Sequence, residues 1–485
     1  MLQEAPTSVE GFGERAPAPT DSASRRRVWV VFVEPMANRV FFECGIVDRL
    51  RGAFPDRLEA VFLLHRKHSP AWLPRLEGIP VLELEDVLPA EVPLLERVSR
   101  QVDSALDTRI GFYPLAIRHS QRNGFFRDRM APGHPVPFLD SSRVGPLPRW
   151  EFVEKGMTRW HLSSRRHVPS ALLERMRREC EALVVTNPQT PAVTPFLSAA
   201  RRLKLPVIGY IASWDHQVGK GIVSPYLDHY VVQNETMRSD LERFHGIAPS
   251  RVTVTGWPQT DVYHRRRSLD EYQAVLRGLA LPVDRPVVLF AGNSPNNSPY
   301  EANLVGRVVS WWRDTGARDR FSLLFRPHPY DDRVRERFAA ALEEPGAVVQ
   351  RVTSTDYGDL VTLLQRVDCV VASGGTILLE ALVNDRPSIC VTFAEGAPPG
   401  FDAVDRTNQT GEHYRTLIES HAFYRAGDFD QLATALERAL ANPSELHDER
   451  ERVSREVVGE IDGHAADRVV AAIRDALARN ALTPV

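Results

Sequence analysis

The stretch 365–392, QRVDCVVASGGTILLEALVNDRPSICVT, constrains this chain's fold more than any other. Cys369-Val370-Val371-Ala372 is a short apolar run preceded by Val367 and Asp368, and it fits a strand buried on both faces of a parallel sheet. Ser373-Gly374-Gly375-Thr376 turns the backbone tightly and opens a helix at Ile377; Ser388-Ile389-Cys390-Val391 supplies the next strand. A glycine turn at a helix N-terminus offers free backbone N–H groups and the positive end of the helix dipole, which suits a phosphate. Glu380 stands one helical turn past Thr376, where a carboxylate accepts hydrogen bonds from ribose hydroxyls. The alternative is an ordinary strand-to-helix turn with Glu380 on the surface.

Two further strands end in loops of the same character. Phe321–Phe325 runs into Arg326-Pro327-His328-Pro329, where the prolines stiffen the chain and present Arg326 and His328 at the strand's C-terminal end. Open α/β sheets bind ligands at that end. Pro286–Phe290 runs into Ala291-Gly292-Asn293-Ser294. Three strands ending in small, polar or cationic loops point to a nucleotide site. The competing view of His328 is a loop histidine packed between prolines.

At 485 residues the chain is long enough for two or three domains. It is 43% apolar and 25% charged, and its net charge of −3 gives no general attraction to nucleic acid. Cys44, Cys180, Cys369 and Cys390 are scattered and read as core thiols of a reducing compartment. No apolar run approaches the ~20 residues that span a bilayer, and the N-terminus shows no signal-peptide pattern. A cytoplasmic location is expected, with peripheral membrane contact left open.

Residues 1–27, rich in Pro, Ala, Ser and Glu, read as a disordered tail. Val28–Val33 is a strand leading to a loop at 34–39 and then a helix through Leu50. Ala60–Leu64, Pro80–Leu84, Ala182–Thr186, Pro206–Ile211, His229–Val232 and Val252–Gly256 continue a parallel series. Residues 85–180 are helical in pattern around a proline-rich interruption at 131–148. A second series runs from Pro286 to about Thr392, and 428–482 reads as amphipathic helix with Leu432, Leu436 and Leu440 on one face. The expected organisation is α/β: a Rossmann-like domain over 28–265, a second over 266–450, and a C-terminal helix over 451–485.

Two such domains in series, with the phosphate features in the second, resemble the GT-B glycosyltransferase fold. The likeness is to the group containing CDP-glycerol glycerophosphotransferases, capsule-type sugar transferases and UDP-N-acetylglucosamine 2-epimerases. It is carried by Val254–Asp261 (VTGWPQTD), Arg326–Pro329, and Ser373–Thr376 with Glu380-Ala381. It implies two domains facing a cleft, the second holding a nucleotide donor and the first an acceptor. Glu380 would then bind ribose, Ser373, Gly374, Gly375 and Thr376 the diphosphate, and Arg326 and His328 the phosphates or the donor group, with Gly292, Asn293 and Ser294 beside them. Such enzymes need no bound metal or other cofactor, because helix dipoles and cationic side chains stabilise the departing diphosphate. Asp331-Asp332 reads as a cap for a helix through Phe338 in preference to a metal ligand pair.

In the first half, Ser213–Gly221 (SWDHQVGKG) follows a buried strand whose end faces the expected cleft. Asp215 or His216 is a candidate base for an acceptor hydroxyl, and Lys220 a phosphate contact. The competing view is an ordered loop in which Trp214 packs and Asp215 caps a turn. Glu34 and Glu43 are reserve candidates for the base. Arg165-Arg166-His167 with Arg175, Arg177 and Arg178 form a basic patch, either a solvated helix face or a contact for anionic lipid or a phosphorylated acceptor. The leading expectation is sugar transfer from a nucleotide-sugar donor to a cell-envelope glycan or lipid-linked acceptor. Against it stand a nucleotide-sugar 2-epimerase, a CDP-glycerol glycerophosphotransferase, and a non-catalytic nucleotide-sugar-binding protein.

Overall fold

The computed structural model describes residues 26–33, 35–62, 72–83, 168–189, 193–219, 223–329, 331–350, 358–407, 409 and 412–481. Thus 1–25 of the expected tail, Glu34, most of the helical stretch at 85–180, Arg165-Arg166-His167 and Lys220 lie outside the described residues.

Two parallel sheets organise the chain. The first contains β1 (Arg27–Phe32), β2 (Leu58–Phe62), β3 (Val81–Glu83), β4 (Cys180–Val185), β5 (Val207–Tyr210), β6 (His229–Val232) and β7 (Val252–Val254), in the order β3-β2-β1-β4-β5-β6-β7. The second contains β8 (Val287–Ala291), β9 (Ser322–Arg326), β10 (Ala347–Val349), β11 (Cys369–Ala372), β12 (Ser388–Val391) and β13 (Tyr424–Ala426), in the order β10-β9-β8-β11-β12-β13. In each sheet the order reverses once, at β1/β4 and at β8/β11, and a crevice opens beyond the strand ends at such a point.

The central strands are apolar because both faces are covered: every residue of β8, β9, β11 and β12 is buried. β10 and β13 lie at the two edges, with only three residues each. Ala347-Val348-Val349 is apolar but too short to stand out, and Tyr424-Arg425-Ala426 has no apolar run, which is why sequence pattern missed them.

Three expectations shift. The chain after β1 is helical from Pro35 to Glu43, not a loop through Arg39. Pro35 suits a first helical turn, where its missing N–H costs nothing. Gly45, at φ 70°, breaks this helix from the next, Ile46–Ala53. The single amphipathic segment at 428–482 is three helices, Phe429–Ala441, His447–Val457 and Ala465–Ala481, the first with Leu432 and Leu436 buried. The acidic pair at 331–332 does not cap a helix through Phe338. Helix Val334–Arg337 is followed by a separate helix, Ala339–Glu343, and Asp331 accepts from the Arg333 N–H (2.9 Å) ahead of both.

The last helix crosses back to the first sheet. Ala466, Val469 and Ile473 join the core that holds Val28, Val30 and Tyr210. Asp261 anchors it, accepting from the Ala465 and Ala466 N–H groups at 3.0 and 2.8 Å. Trp257 Nε1 donates to the Val457 carbonyl (3.2 Å). The segment VTGWPQTD is therefore a joint that fastens the C-terminal helices. Another apolar cluster is shared by both halves, uniting Trp214 and Trp257 with Leu378 and Tyr414. Among the described residues no helix is long and apolar enough to cross a membrane.

Candidate functional site

The reversal point of the second sheet gathers most of the expected residues. The loop after β8 lies beside β9, with the Gly292 N–H donating to the Arg326 carbonyl (2.8 Å). A Cβ at Gly292 would come within 2.8 Å of the Phe338 ring and 3.4 Å of Pro327 Cα, so the close approach requires glycine. Asn293 accepts from the Ser294 N–H (2.8 Å) and reaches across to donate to Ser373 Oγ (3.3 Å). Ser298 Oγ meets the same hydroxyl at 3.1 Å.

The turn after β11 is held from outside. The Ser373 carbonyl accepts from Gln409 Nε2 (3.0 Å), and the Gly375 carbonyl from the Tyr414 hydroxyl (2.8 Å). Gly374 has φ 128° and Gly375 φ 88°, in the region that favours glycine. At Gly374 a Cβ would also press to 3.3 Å from the Thr407 carbonyl oxygen. Helix Thr376–Val383 starts at Gly375 with no side-chain cap among the described residues. Its first N–H groups have no partner within the helix.

Beneath the loops lies an ion cluster that the sequence did not announce. Arg337 bonds Glu301 (2.6 Å) and Asp331, and all three side chains are buried. It also donates to the carbonyls of Asn293 and Ser298, both at 3.0 Å. Glu301 accepts from the Asn293 N–H at 2.8 Å. Burial pushes the Glu301 carboxyl up to about 7, against the pull of Arg337. The cluster thus ties the β8 loop to the chain beyond β9.

Glu380 is not on the surface: it is 6% exposed, and the Tyr263 hydroxyl donates to its Oε2. Burial raises its carboxyl above the usual range, while the Tyr263 hydrogen bond and the charges of Arg39 and Arg326 favour ionisation. Arg326 is buried and donates to Gln350 Oε1 (2.6 Å). His328 lies half-buried. Desolvation lowers its pKa to about 4, reinforced by Arg337 and Arg39 and opposed by Asp331, so it is neutral at pH 7. Arg39 is a missed residue. It lies on the helix after β1, in the other domain, yet its charge acts on both Glu380 and His328. Its sequence signal was only its place just past a strand end. Tyr263, Gln409 and Tyr414 were missed for a plainer reason, since nothing in their local pattern marks them.

Asp215 and His216 belong to the first sheet's side and touch the second through their neighbour. Trp214 packs with ring centroids 5.1 Å from both His413 and Tyr414. Asp215 is half-exposed and accepts from Ser213 Oγ (2.6 Å). His216 is buried at 5% exposure, and its carbonyl accepts from Gln189 Nε2 (2.6 Å). Of the two, Asp215 is the more accessible. Glu43 accepts from Trp72 Nε1 (3.1 Å), a packing role. Arg175 and Arg178 both pair with Glu179, which partly neutralises that end of the expected basic patch. A small open cleft adjoins the glycine turn, lined in part by Ser298, Tyr300, Ser373, Glu395, Phe401 and Thr407. Among the described residues no group of three or more His, Cys, Asp or Glu side chains is placed to hold a metal ion.

Two doubly wound parallel sheets, the second with a glycine turn at its reversal point, define a GT-B-type fold. The model of the CDP-glycerol:poly(glycerophosphate) glycerophosphotransferase family matches residues 222–475, just over half of the chain, and the chain belongs to that family. The UDP-GlcNAc 2-epimerase of Methanocaldococcus jannaschii, solved with UDP-GlcNAc and UDP, is similar at 12% identity, TM-score 0.50, covering 92% of this chain and 99% of that one. The Neisseria meningitidis UDP-GlcNAc 2-epimerase bound to UDP-GlcNAc is similar at 12% identity and TM-score 0.50, covering 93% and 100%. At that identity the likeness establishes the fold alone. No curated protein sequence matches the chain.

Proposed function

We propose that the chain is a glycosyltransferase-type enzyme that moves a unit from a nucleotide-activated donor to a cell-envelope glycan or lipid-linked acceptor. The carrying observation is the reversal point of the second sheet, where the uncapped turn Ser373–Thr376, buried Glu380 and Arg326 converge. In this reading the turn's N–H groups hold the diphosphate, Glu380 binds ribose, and the cleft beside Ser373 takes the transferred unit. His328, neutral before binding, donates a hydrogen bond to phosphate. Asp215 removes the acceptor hydroxyl proton. The acceptor oxygen then bonds to the donor carbon as the bond to the nucleoside diphosphate breaks, and the electron pair leaves on the diphosphate. Arg326 and the helix N-terminus meet that charge, so the step is proposed to run without a metal. A cytoplasmic site with peripheral membrane contact fits a nucleotide donor and a lipid-linked acceptor.

Family membership favours a second reading, transfer of glycerophosphate from CDP-glycerol. There the acceptor oxygen attacks the distal phosphorus and CMP departs. Incubation with a panel of nucleotide-sugars, and separately with CDP-glycerol, separates the two. Nucleoside diphosphate release with acceptor-dependent incorporation supports sugar transfer, and CMP release supports glycerophosphate transfer. A changed but untransferred sugar means epimerisation. Binding with no turnover in either arm would sink the enzymatic reading.

A further inference from the structure

Trp214 follows a strand of the first sheet, yet its indole is 5% exposed, packed against His413 and Tyr414 of the second half and 5.8 Å from Trp257. Tyr414 donates to the Gly375 carbonyl at 2.8 Å. A physical link of two contacts therefore joins the loop of Asp215 to the residue that opens helix Thr376–Val383. Both ends of the link are fixed. The Trp214 carbonyl accepts from Gln217 Nε2 (2.8 Å), which also bonds Asp240 (3.1 Å). At the other end Gln409 holds the Ser373 carbonyl at 3.0 Å. Between them, Gly374 and Gly375 have no torsional preference of their own for the conformation they adopt. Side chains from outside the turn must select it.

We propose that Trp214 and Tyr414 are positioning residues: docked ring against ring, they hold the glycine turn in its binding conformation and in register with the Asp215 loop. The donor side of the site is then ordered by a residue of the acceptor side. The inference rests on the reading of this turn as a nucleotide site, but its structural part is testable separately. Amide hydrogen exchange at 379–382, the first N–H groups bonded within helix Thr376–Val383, is the primary measurement, with calorimetric binding of UDP, CDP, GDP and ADP as the second.

Trp214→Ala should speed exchange at those amides by about tenfold or more, with exchange in β4 and β11 unchanged. Trp214→Phe, which keeps a ring, should restore most of the protection. Tyr414→Phe keeps the ring and loses the hydroxyl bond, so it should loosen the turn less and weaken nucleotide affinity about two- to tenfold. Wild-type exchange at 379–382 in Trp214→Ala, or loss of protection spread evenly over both sheets, overturns the proposal and leaves Trp214 an ordinary core residue. Should Trp214→Ala not fold, Tyr414→Phe with wild-type exchange and wild-type affinity overturns it equally. If the wild type binds none of the four nucleotides while Trp214 still governs exchange at 379–382, the nucleotide reading fails and the coupling stands.

Discussion

The two sheets share one architecture and differ at their reversal points. At β1/β4 the described polar groups bond one another. Thr186 accepts from the Val33 N–H (3.2 Å) and bonds Asn38 (3.4 Å), and buried aromatic rings crowd behind. At β8/β11 the equivalent position carries glycines, an uncapped helix and hydroxyls that meet one another. The fold alone therefore does not fix the character of a reversal point. Under the proposed function the second sheet offers a ligand its open backbone donors, with the Arg337 ion cluster supporting the loops from below. The first half contributes instead through what it extends toward the second: Arg39, Trp214 and Asp215.

That contrast is open to direct attack. The largest expected effect is kinetic and falls on the first half. Asp215→Asn should lower transfer by roughly 10²–10⁴-fold while calorimetric donor affinity stays unchanged. Transfer at a normal rate would move the base elsewhere in the acceptor half. Next comes the support beneath the second half. Arg337→Ala leaves Glu301 and Asp331 buried without their partner, and should cost about 3–5 kcal/mol in chemical denaturation. A loss below 1 kcal/mol would show that the β8 loop does not depend on the cluster.

Glu380→Gln should weaken nucleotide binding by about 1.5–3 kcal/mol, measured calorimetrically, with the acceptor side untouched. Unchanged affinity removes Glu380 from the ribose role. The smallest effect is on acid stability. Burial lowers His229, His245 and His328 to about 4 from the usual histidine value of 6.5. The unfolded chain takes up these protons near pH 6.5 and the folded one only near 4. Stability should therefore fall as pH drops through that window. His245 shows why: its Nδ1 accepts from the Val223 N–H (3.1 Å) while Nε2 meets the Gln217 carbonyl (2.7 Å), an arrangement that a second proton breaks. Two of the three histidines belong to the first half, so its melting should respond more than that of the second. A melting temperature flat from pH 7 to 4.5 contradicts this.

The sequence made most of the strand order legible because buried parallel strands are continuous apolar runs bounded by turns. It also marked Ser373–Thr376, Arg326 and His328, since glycines and prolines at strand ends leave local signals. What it hid was long-range. Nothing near Tyr263 shows that its hydroxyl meets Glu380, 117 residues away. Nothing near Arg337 shows that it unites Glu301 with Asp331. VTGWPQTD carried the family resemblance, but its part in the fold, fastening helices through Asp261 and Trp257, is long-range and left no local signal. The edge strands β10 and β13 escaped because three residues are too few to show a pattern, whether apolar as in Ala347–Val349 or mixed as in Tyr424–Ala426.

The returning helix Ala465–Ala481 has a consequence for biosynthesis. It supplies Ala466, Val469 and Ile473 to a core whose other members were translated from residue 28 onward. At ~5–20 residues per second, roughly 10–40 s separate the synthesis of β7 from that of this helix. On the ribosome the half made first must wait for the last segment before its core can close, whereas the half made second receives nearly all its core strands in one continuous run. The usual N-to-C order of domain maturation is thereby reversed, and a nascent chain stalled before residue 465 would carry an open apolar face on its earliest-made half.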